Sequence, residues 1–136
     1  MTSGSARPLV LVVEDDPDTS DMYALYLDFC GMGVLTASSV DAAFALALEH
    51  KPDIVVTDFL MRGLGNGADL CRRLHGDERT AHIPALLMTG STRKADAEAA
   101  LGAGCAAIRI KPYLPDALVD DIREIIRRPK NERLAG

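Results

Sequence analysis

Hydrophobic and polar positions follow two alternating patterns along the chain, and the alternation predicts five strand and helix pairs. Short aliphatic runs have the length of strands, and the segments between them carry apolar side chains at helical spacing. The predicted strands cover residues 9–13, 34–37, 54–57, 85–88 and 106–110. The predicted helices cover residues 17–30, 40–50, 68–75, 94–101 and 115–128. Regular alternation of this kind indicates parallel strands joined by crossover helices.

Local signals mark the beginnings of two helices. Asp16 precedes Pro17 and predicts the N-cap of the first helix, where Asp18 favours the helix dipole. Ser39 predicts the N-cap of the second helix.

The apolar stripe predicted for the first helix consists of Met22, Leu25, Tyr26 and Phe29.

Two of the aliphatic runs, VLVV and DIVVTD, show no alternation of apolar and polar residues within the strand. Strands of this type are buried on both faces, so helices must cover both sides of the sheet. The predicted fold class is α/β, with a doubly wound, five-stranded parallel sheet and five helices. Ligands of such folds bind beyond the carboxyl ends of the strands, where the winding direction changes.

Composition narrows the functional classes. A length of 136 residues predicts one domain. The net charge of −5 argues against a nucleic-acid partner, and no apolar run is long enough to predict a membrane span. The N-terminal sequence MTSGSARP lacks a signal-peptide pattern, so we expect a cytoplasmic protein. Three scattered cysteines, Cys30, Cys71 and Cys105, are expected to be reduced thiols.

Polar side chains follow four of the predicted strands, at the ends where a ligand would bind. Glu14 and Asp15 end the first strand, Asp58 the third, Thr89 the fourth and Lys111 the fifth. Each has an ordinary explanation alone: a turn, a helix cap or a surface charge. Together, three carboxylates, a hydroxyl and an ammonium suit Mg²⁺ and a phosphoryl group.

Four motifs give the chain a family resemblance. They are LVVEDD, PDIVVTD, LLMTGS and IRIKPY, in that order. With them, residues 8–128 resemble the receiver domain of bacterial two-component response regulators, which has a flavodoxin-like fold. Residues 1–7 and 129–136 would then be terminal tails.

The resemblance implies a role for each strand-end residue. Asp58 would accept a phosphoryl group from a histidine kinase or a phosphotransfer protein, and Glu14 and Asp15 would hold Mg²⁺. Thr89 would match the switch hydroxyl of the family, and Lys111 the lysine that pairs with the phosphoryl oxygens. The peptide bond between Lys111 and Pro112 would be cis, as is usual in the family.

The chemistry of Mg²⁺ refines the ligand set. The ion prefers octahedral oxygen coordination and keeps several waters, so a few protein ligands are enough. We expect Asp15, Asp58 and the main-chain carbonyl of Leu60 to bind it directly. Glu14 is one methylene longer than the aspartate often found at its position, and we expect it to reach the ion through water.

Three positions depart from the family pattern. Arg62 stands where proline is expected, in a glycine-rich loop with one extra residue before Gly67. Ile108 lies where many receivers carry an aromatic switch residue, which weakens that part of the switch. Leu114 replaces the usual polar cap before the last helix, so the start of this helix depends on Pro115 and Asp116.

The preferred interpretation is a single-domain phosphoacceptor that changes its affinity for a downstream protein and acts as a monomer or weak dimer, without a nucleic-acid or membrane partner. One alternative is a receiver-like binding module that signals without phosphorylation. Another is a magnesium phosphohydrolase with Asp58 as nucleophile. That chemistry generally requires a second aspartate two residues on, as general acid, and position 60 is leucine.

Overall fold

The computed structural model describes residues 7–61, 63, 65–129 and 132. Strands and helices alternate throughout, and each of the five predicted pairs is present. The strands are β1 (Leu9–Val13), β2 (Gly33–Ala37), β3 (Ile54–Asp58), β4 (Ala85–Thr89) and β5 (Ala107–Ile110). The helices are α1 (Pro17–Phe29), α2 (Val40–His50), α3 (Gly67–Gly76), α4 (Lys94–Gly102) and α5 (Pro115–Arg127). The predicted boundaries agree with these to within two residues.

The five strands form one parallel sheet in the order β2-β1-β3-β4-β5. Because β1 lies inside the sheet, the chain winds first toward one edge and then toward the other. The change of direction lies between β1 and β3, which places a cleft beyond their carboxyl ends. The predicted doubly wound fold is confirmed.

Two apolar cores lie on opposite faces of the sheet, because strands buried on both sides need helices on both sides. Leu11 and Val13 point into the core shared with α2, α3 and α4. Val10 and Val12 point into the core shared with α1 and α5. All four side chains are fully buried, as the absence of alternation in this strand predicts.

Side-chain caps fix three helix starts. Asp16 accepts the main-chain N–H of Thr19, and Ser39 accepts that of Ala42, so both predicted caps are confirmed. Asn66 and Asp69 form a reciprocal capping box at the start of α3, which the sequence analysis did not predict. Leu114 provides no side-chain cap for α5, as expected.

The predicted core face of α1 is wrong. Tyr23 and Leu27 are buried, whereas Leu25 and Phe29 are exposed, Phe29 by 86%. The Tyr23 hydroxyl donates a 2.7 Å hydrogen bond to the main-chain oxygen of Tyr113, which orients the helix. Apolar spacing alone could not select between two adjacent stripes, because the choice depends on packing against distant segments, here the sheet and α5. Met22 is also exposed, and Tyr26 is partly buried.

Most residues of the predicted tails lie outside the described residues, as does Arg62, so the departure at that position is not described. Arg7, in the predicted N-terminal tail, donates to the main-chain oxygen of Met32 at 2.7 Å. None of the helices described is both long and apolar enough to cross a membrane.

Candidate functional site

Main-chain hydrogen bonds align the strand ends at the edge where the polar residues lie. Phe59 N–H donates to the oxygen of Met88 at 2.7 Å, and Lys111 N–H donates to the oxygen of Thr89 at 2.8 Å. Glu14 N–H donates to the oxygen of Ala37 at 3.0 Å. The backbone therefore continues the sheet pairing just past the strands. This pairing fixes the main-chain positions from which the polar side chains extend.

Three carboxylates converge at the edge between β1 and β3. One oxygen each of Glu14, Asp15 and Asp58 lies within 4.8 Å of the other two. Glu14 is only 4% exposed and Asp58 only 8%. Three negative charges at this separation repel one another, so the arrangement requires positive charge nearby.

Lys111 supplies part of that charge. Its Nζ lies 3.0 Å from Asp58 Oδ2 and 3.6 Å from Glu14 Oε1. Burial opposes the charge of the ammonium, but the hydrogen bond from Lys111 to Asp58 and the two carboxylate charges raise its pKa overall. One ammonium facing three carboxylates leaves the cluster with an excess of negative charge.

The two carboxylate oxygens of Glu14 differ in their hydrogen bonding. Oε2 accepts the main-chain N–H of Asp16 at 3.1 Å. Oε1 is buried and has no hydrogen-bond partner among the described residues. Burial raises the pKa of this carboxyl, the Asp16 N–H lowers it, and the charge of Asp58 raises it further.

These features fit a hard divalent cation. Carboxylate oxygens are the ligands that Mg²⁺ prefers, and a buried carboxylate oxygen without a hydrogen bond costs free energy. Lys111 Nζ, at 3.6 Å from Glu14 Oε1, is too far away to supply that hydrogen bond. Glu14, Asp15 and Asp58 could hold the ion. Leu60 follows Asp58 by two residues and has an exposed side chain, and its carbonyl remains a predicted ligand.

Thr89 ends β4 beside the cluster and is 5% exposed. Its hydroxyl oxygen accepts the main-chain N–H of Ser91 at 3.0 Å. The Ser91 hydroxyl in turn donates to Asp96 at 2.6 Å, in the first turn of α4. The predicted hydroxyl is therefore hydrogen-bonded to the loop that leads to α4.

Two supporting residues were missed by sequence reasoning. Gly67 begins α3 directly against the carboxyl end of β3, where an added Cβ would lie 2.4 Å from the main-chain oxygen of Asp58. Tyr23 fixes the oxygen of Tyr113, two residues after Lys111. Of these two residues, only Gly67 had a signal in the sequence: it lies in the run GNG, and glycine allows two backbone segments to approach closely. The bond between Lys111 and Pro112 is cis, as expected.

Relatives of this chain regulate transcription. The chain is 31% identical over 121 residues to the DNA-binding dual master transcriptional regulator RpaA of Synechocystis sp., an alignment that covers 89% of this chain and 50% of RpaA. It is 30% identical to the phosphate regulon transcriptional regulatory protein PhoB of Pseudomonas aeruginosa, with 88% and 52% covered. The chain thus spans about half the length of these curated relatives.

These relatives overturn one prediction. The net charge of −5 predicted that the protein has no nucleic-acid partner, whereas RpaA is a DNA-binding regulator. This prediction was wrong because the net charge describes only the residues of this chain, whereas the relatives are about twice as long.

Solved structures agree on the fold. A putative response regulator from Chloroflexus aurantiacus superposes with a TM-score of 0.83 at 29% identity, covering 90% of this chain and 99% of the other. The family description "Response regulator receiver domain" matches residues 10–123, which include every strand-end residue discussed above. The chain belongs to the family of response regulator receiver domains of two-component systems.

Proposed function

We propose that this receiver accepts a phosphoryl group on Asp58 from a histidine kinase or a phosphotransfer protein, with Mg²⁺ bound by Glu14, Asp15, Asp58 and the carbonyl of Leu60. The observation that carries the proposal is the placement of the Asp58 carboxylate. It lies 3.0 Å from the Lys111 ammonium, within a cluster of three carboxylates in which one buried oxygen, Glu14 Oε1, has no hydrogen-bond partner among the described residues.

The transfer would be a displacement at phosphorus. An Asp58 carboxylate oxygen attacks the phosphorus of the donor, and the bond from phosphorus to the donor nitrogen or oxygen breaks as the new bond forms. Glu14, Asp15 and Asp58 would hold Mg²⁺, which would neutralise charge on the phosphoryl oxygens. The Lys111 ammonium pairs with the same oxygens. Because it is already in place, little free energy is needed to reorganise the site as charge develops during transfer.

The switch step follows from the hydroxyl of Thr89. Phosphorylation adds strong acceptor oxygens at Asp58, and the Thr89 hydroxyl can donate a hydrogen bond to one of them. The hydroxyl oxygen already accepts the N–H of Ser91, so movement of the hydroxyl changes the loop before α4. We infer that this loop and α4 carry the change in affinity for the output partner.

The direct test is an intact mass measured after incubation with Mg²⁺ and acetyl phosphate. The wild-type protein should gain one phosphoryl group, and chelation of Mg²⁺ should prevent the gain. Asp58→Asn should remove it, whereas Asp120→Asn, the same change at an exposed position of α5, should leave it intact. A full adduct on Asp58→Asn would place the phosphoryl group elsewhere.

The same experiment separates the two alternatives. A protein that gains no phosphoryl group, with Mg²⁺ present and the site intact, would be a binding module that signals without phosphorylation. Steady release of phosphate without an adduct would indicate a phosphohydrolase. The output should be tested both as protein capture and as DNA binding, with and without phosphodonor, because relatives of this chain are transcriptional regulators.

A further inference from the structure

Two of the three cysteines face each other inside the molecule, away from the acidic cluster. Cys71 lies on α3, and Cys105 lies in the turn between α4 and β5. Their Sγ atoms are 2.8 Å apart, and the residues are 0% and 2% exposed. Neither thiol has a role in the proposed phosphorylation chemistry.

The neighbouring turn of α3 holds this arrangement in place. His75 lies one helical turn after Cys71, and its ring packs over Gly104, where an added Cβ would lie 2.9 Å from the ring. Gly104 has a φ of +92°, which an L-residue rarely adopts. The turn that carries Cys105 is thus packed against α3 at two successive positions, 104 and 105.

We propose that Cys71 and Cys105 are an oxidation site, at which a small hydroperoxide converts the two thiols into a reversible intramolecular disulfide. The sulfurs need to approach by only about 0.8 Å to reach bonding distance. The oxidant must be small because both side chains are buried. A bulky disulfide such as oxidised glutathione should react far more slowly.

The reaction balances without a further redox partner. The Cys105 thiol releases its proton, its sulfur attacks one oxygen of hydrogen peroxide as the O–O bond breaks, and the departing hydroxide takes up that proton to become water. The Cys71 sulfur then attacks the sulfenic acid at Cys105, forming the S–S bond and breaking the S–O bond. The second hydroxide leaves as water with the Cys71 proton. Two thiols are oxidised and one peroxide is reduced to two waters.

The order of attack agrees with the electrostatics of the pair. The hydrogen bond between the thiols lowers the pKa of Cys105 and raises the pKa of Cys71. Burial opposes ionisation of both sulfurs, so the reaction should be slower than at an exposed thiolate.

The disulfide would join α3 to the turn that follows α4. Its effect on signalling rests on the proposed function, since α4 and its preceding loop are inferred to move after phosphorylation. The cross-link would fix the C-terminal end of α4 and so reduce that movement. Formation of the disulfide itself does not depend on Asp58.

The test uses Cys30→Ala, which leaves only the buried pair. The protein is treated with hydrogen peroxide, quenched with catalase, unfolded, and alkylated with N-ethylmaleimide before an intact mass is taken. We expect a monomer that has lost two hydrogen atoms and takes up no maleimide, and that takes up two after dithiothreitol. A non-reducing digest of the wild-type protein should contain the linked peptides of Cys71 and Cys105, which requires no variant to fold.

Controls separate this proposal from the proposed function. Asp58→Asn should form the same disulfide, and a further Cys71→Ala change in the Cys30→Ala protein should abolish it. Two maleimides on the peroxide-treated Cys30→Ala protein would overturn the proposal, as would linkage between chains or a sulfinic acid without a disulfide. In phosphorylated protein, the oxidised form should show smaller amide shifts in residues 90–101. Equal shifts would overturn the effect on signalling.

Discussion

Substitution of Gly67 by alanine tests whether the start of α3 fixes the main chain at Asp58, the proposed phosphoacceptor. An added Cβ would lie 2.4 Å from the Asp58 oxygen, 2.7 Å from Leu87 Cδ1 and 3.1 Å from Phe59 Cα. The Leu87 side chain can rotate, but the other two atoms belong to the backbone. The Gly67 N–H also donates to the Phe59 oxygen at 2.8 Å. The conflict is therefore one of space between two backbone segments.

The size of the effect follows from these distances. Ordinary contact with a Cβ begins near 3.4 Å, so the backbone must yield by about 1 Å to admit the methyl group. Overpacking usually costs 1–3 kcal/mol, and we expect roughly 3 kcal/mol here because the obstruction is backbone. A displacement of this size at a reacting group can slow a reaction about 100-fold. We expect phosphorylation of Asp58 to slow by a similar factor.

Gly76→Ala is the matched control. Gly76 ends α3, and an added Cβ there meets nothing within 4 Å. We expect a gain of roughly 0.5 kcal/mol from the lower entropy of the unfolded chain. Urea unfolding followed by circular dichroism gives both free energies, and acetyl phosphate labelling gives the rates. Wild-type stability and labelling for Gly67→Ala would refute the reasoning, because the loop from β3 to α3 would then be free to move aside.

Three further predictions test the acidic site and the partly buried imidazole of His75. Asp15→Asn should weaken Mg²⁺ binding in calorimetric titration more than Glu14→Gln, because the shorter acid is predicted to coordinate the ion directly and Glu14 to reach it through water; equal losses would contradict this division of roles. Burial lowers the pKa of His75 below 6.5, so the unfolded state binds its proton more readily and the free energy of unfolding should fall as the pH drops below 6.5. His75→Phe should remove that part of the pH dependence, and an unchanged profile would refute the assignment. Thr89→Ala should still accept the phosphoryl group but lose most of the amide shifts in residues 90–101; the full set of shifts would exclude the hydroxyl as the switch.

The sequence was informative wherever the signal is local. The aliphatic runs that end in Glu14 and Asp58 are buried because of their own composition, so their positions in the sheet could be predicted without tertiary information. Parallel pairing then brings the ends of neighbouring strands to one edge. The same argument placed Lys111 at that edge, and its Nζ lies 3.0 Å from Asp58 Oδ2.

The features that the sequence did not predict depend on contacts between distant segments. The stripe of α1 that includes Leu25 is as apolar as the one that is buried, and the buried stripe packs against the sheet and α5, where Tyr23 also donates a hydrogen bond to a residue 90 positions away. Gly67 looks like one of several loop glycines until β3 is placed against it. The contact between Cys71 and Cys105 likewise spans 34 positions. Periodicity within one segment contains no information on such pairs.

Under the proposed function, the hydrogen bonds of Thr89 provide a path from Asp58 to α4 that does not involve the isoleucine at position 108. A hydroxyl has one donor and two acceptor sites, so Thr89 could donate to a phosphoryl oxygen and still accept from Ser91. If the hydroxyl turns toward Asp58, the Ser91 N–H must follow or lose its acceptor. Because the Ser91 hydroxyl donates to Asp96 at 2.6 Å, this displacement reaches the first turn of α4 directly. Coupling along this path requires no aromatic side chain to change rotamer, so the path through Ser91 can act where the usual aromatic residue is absent.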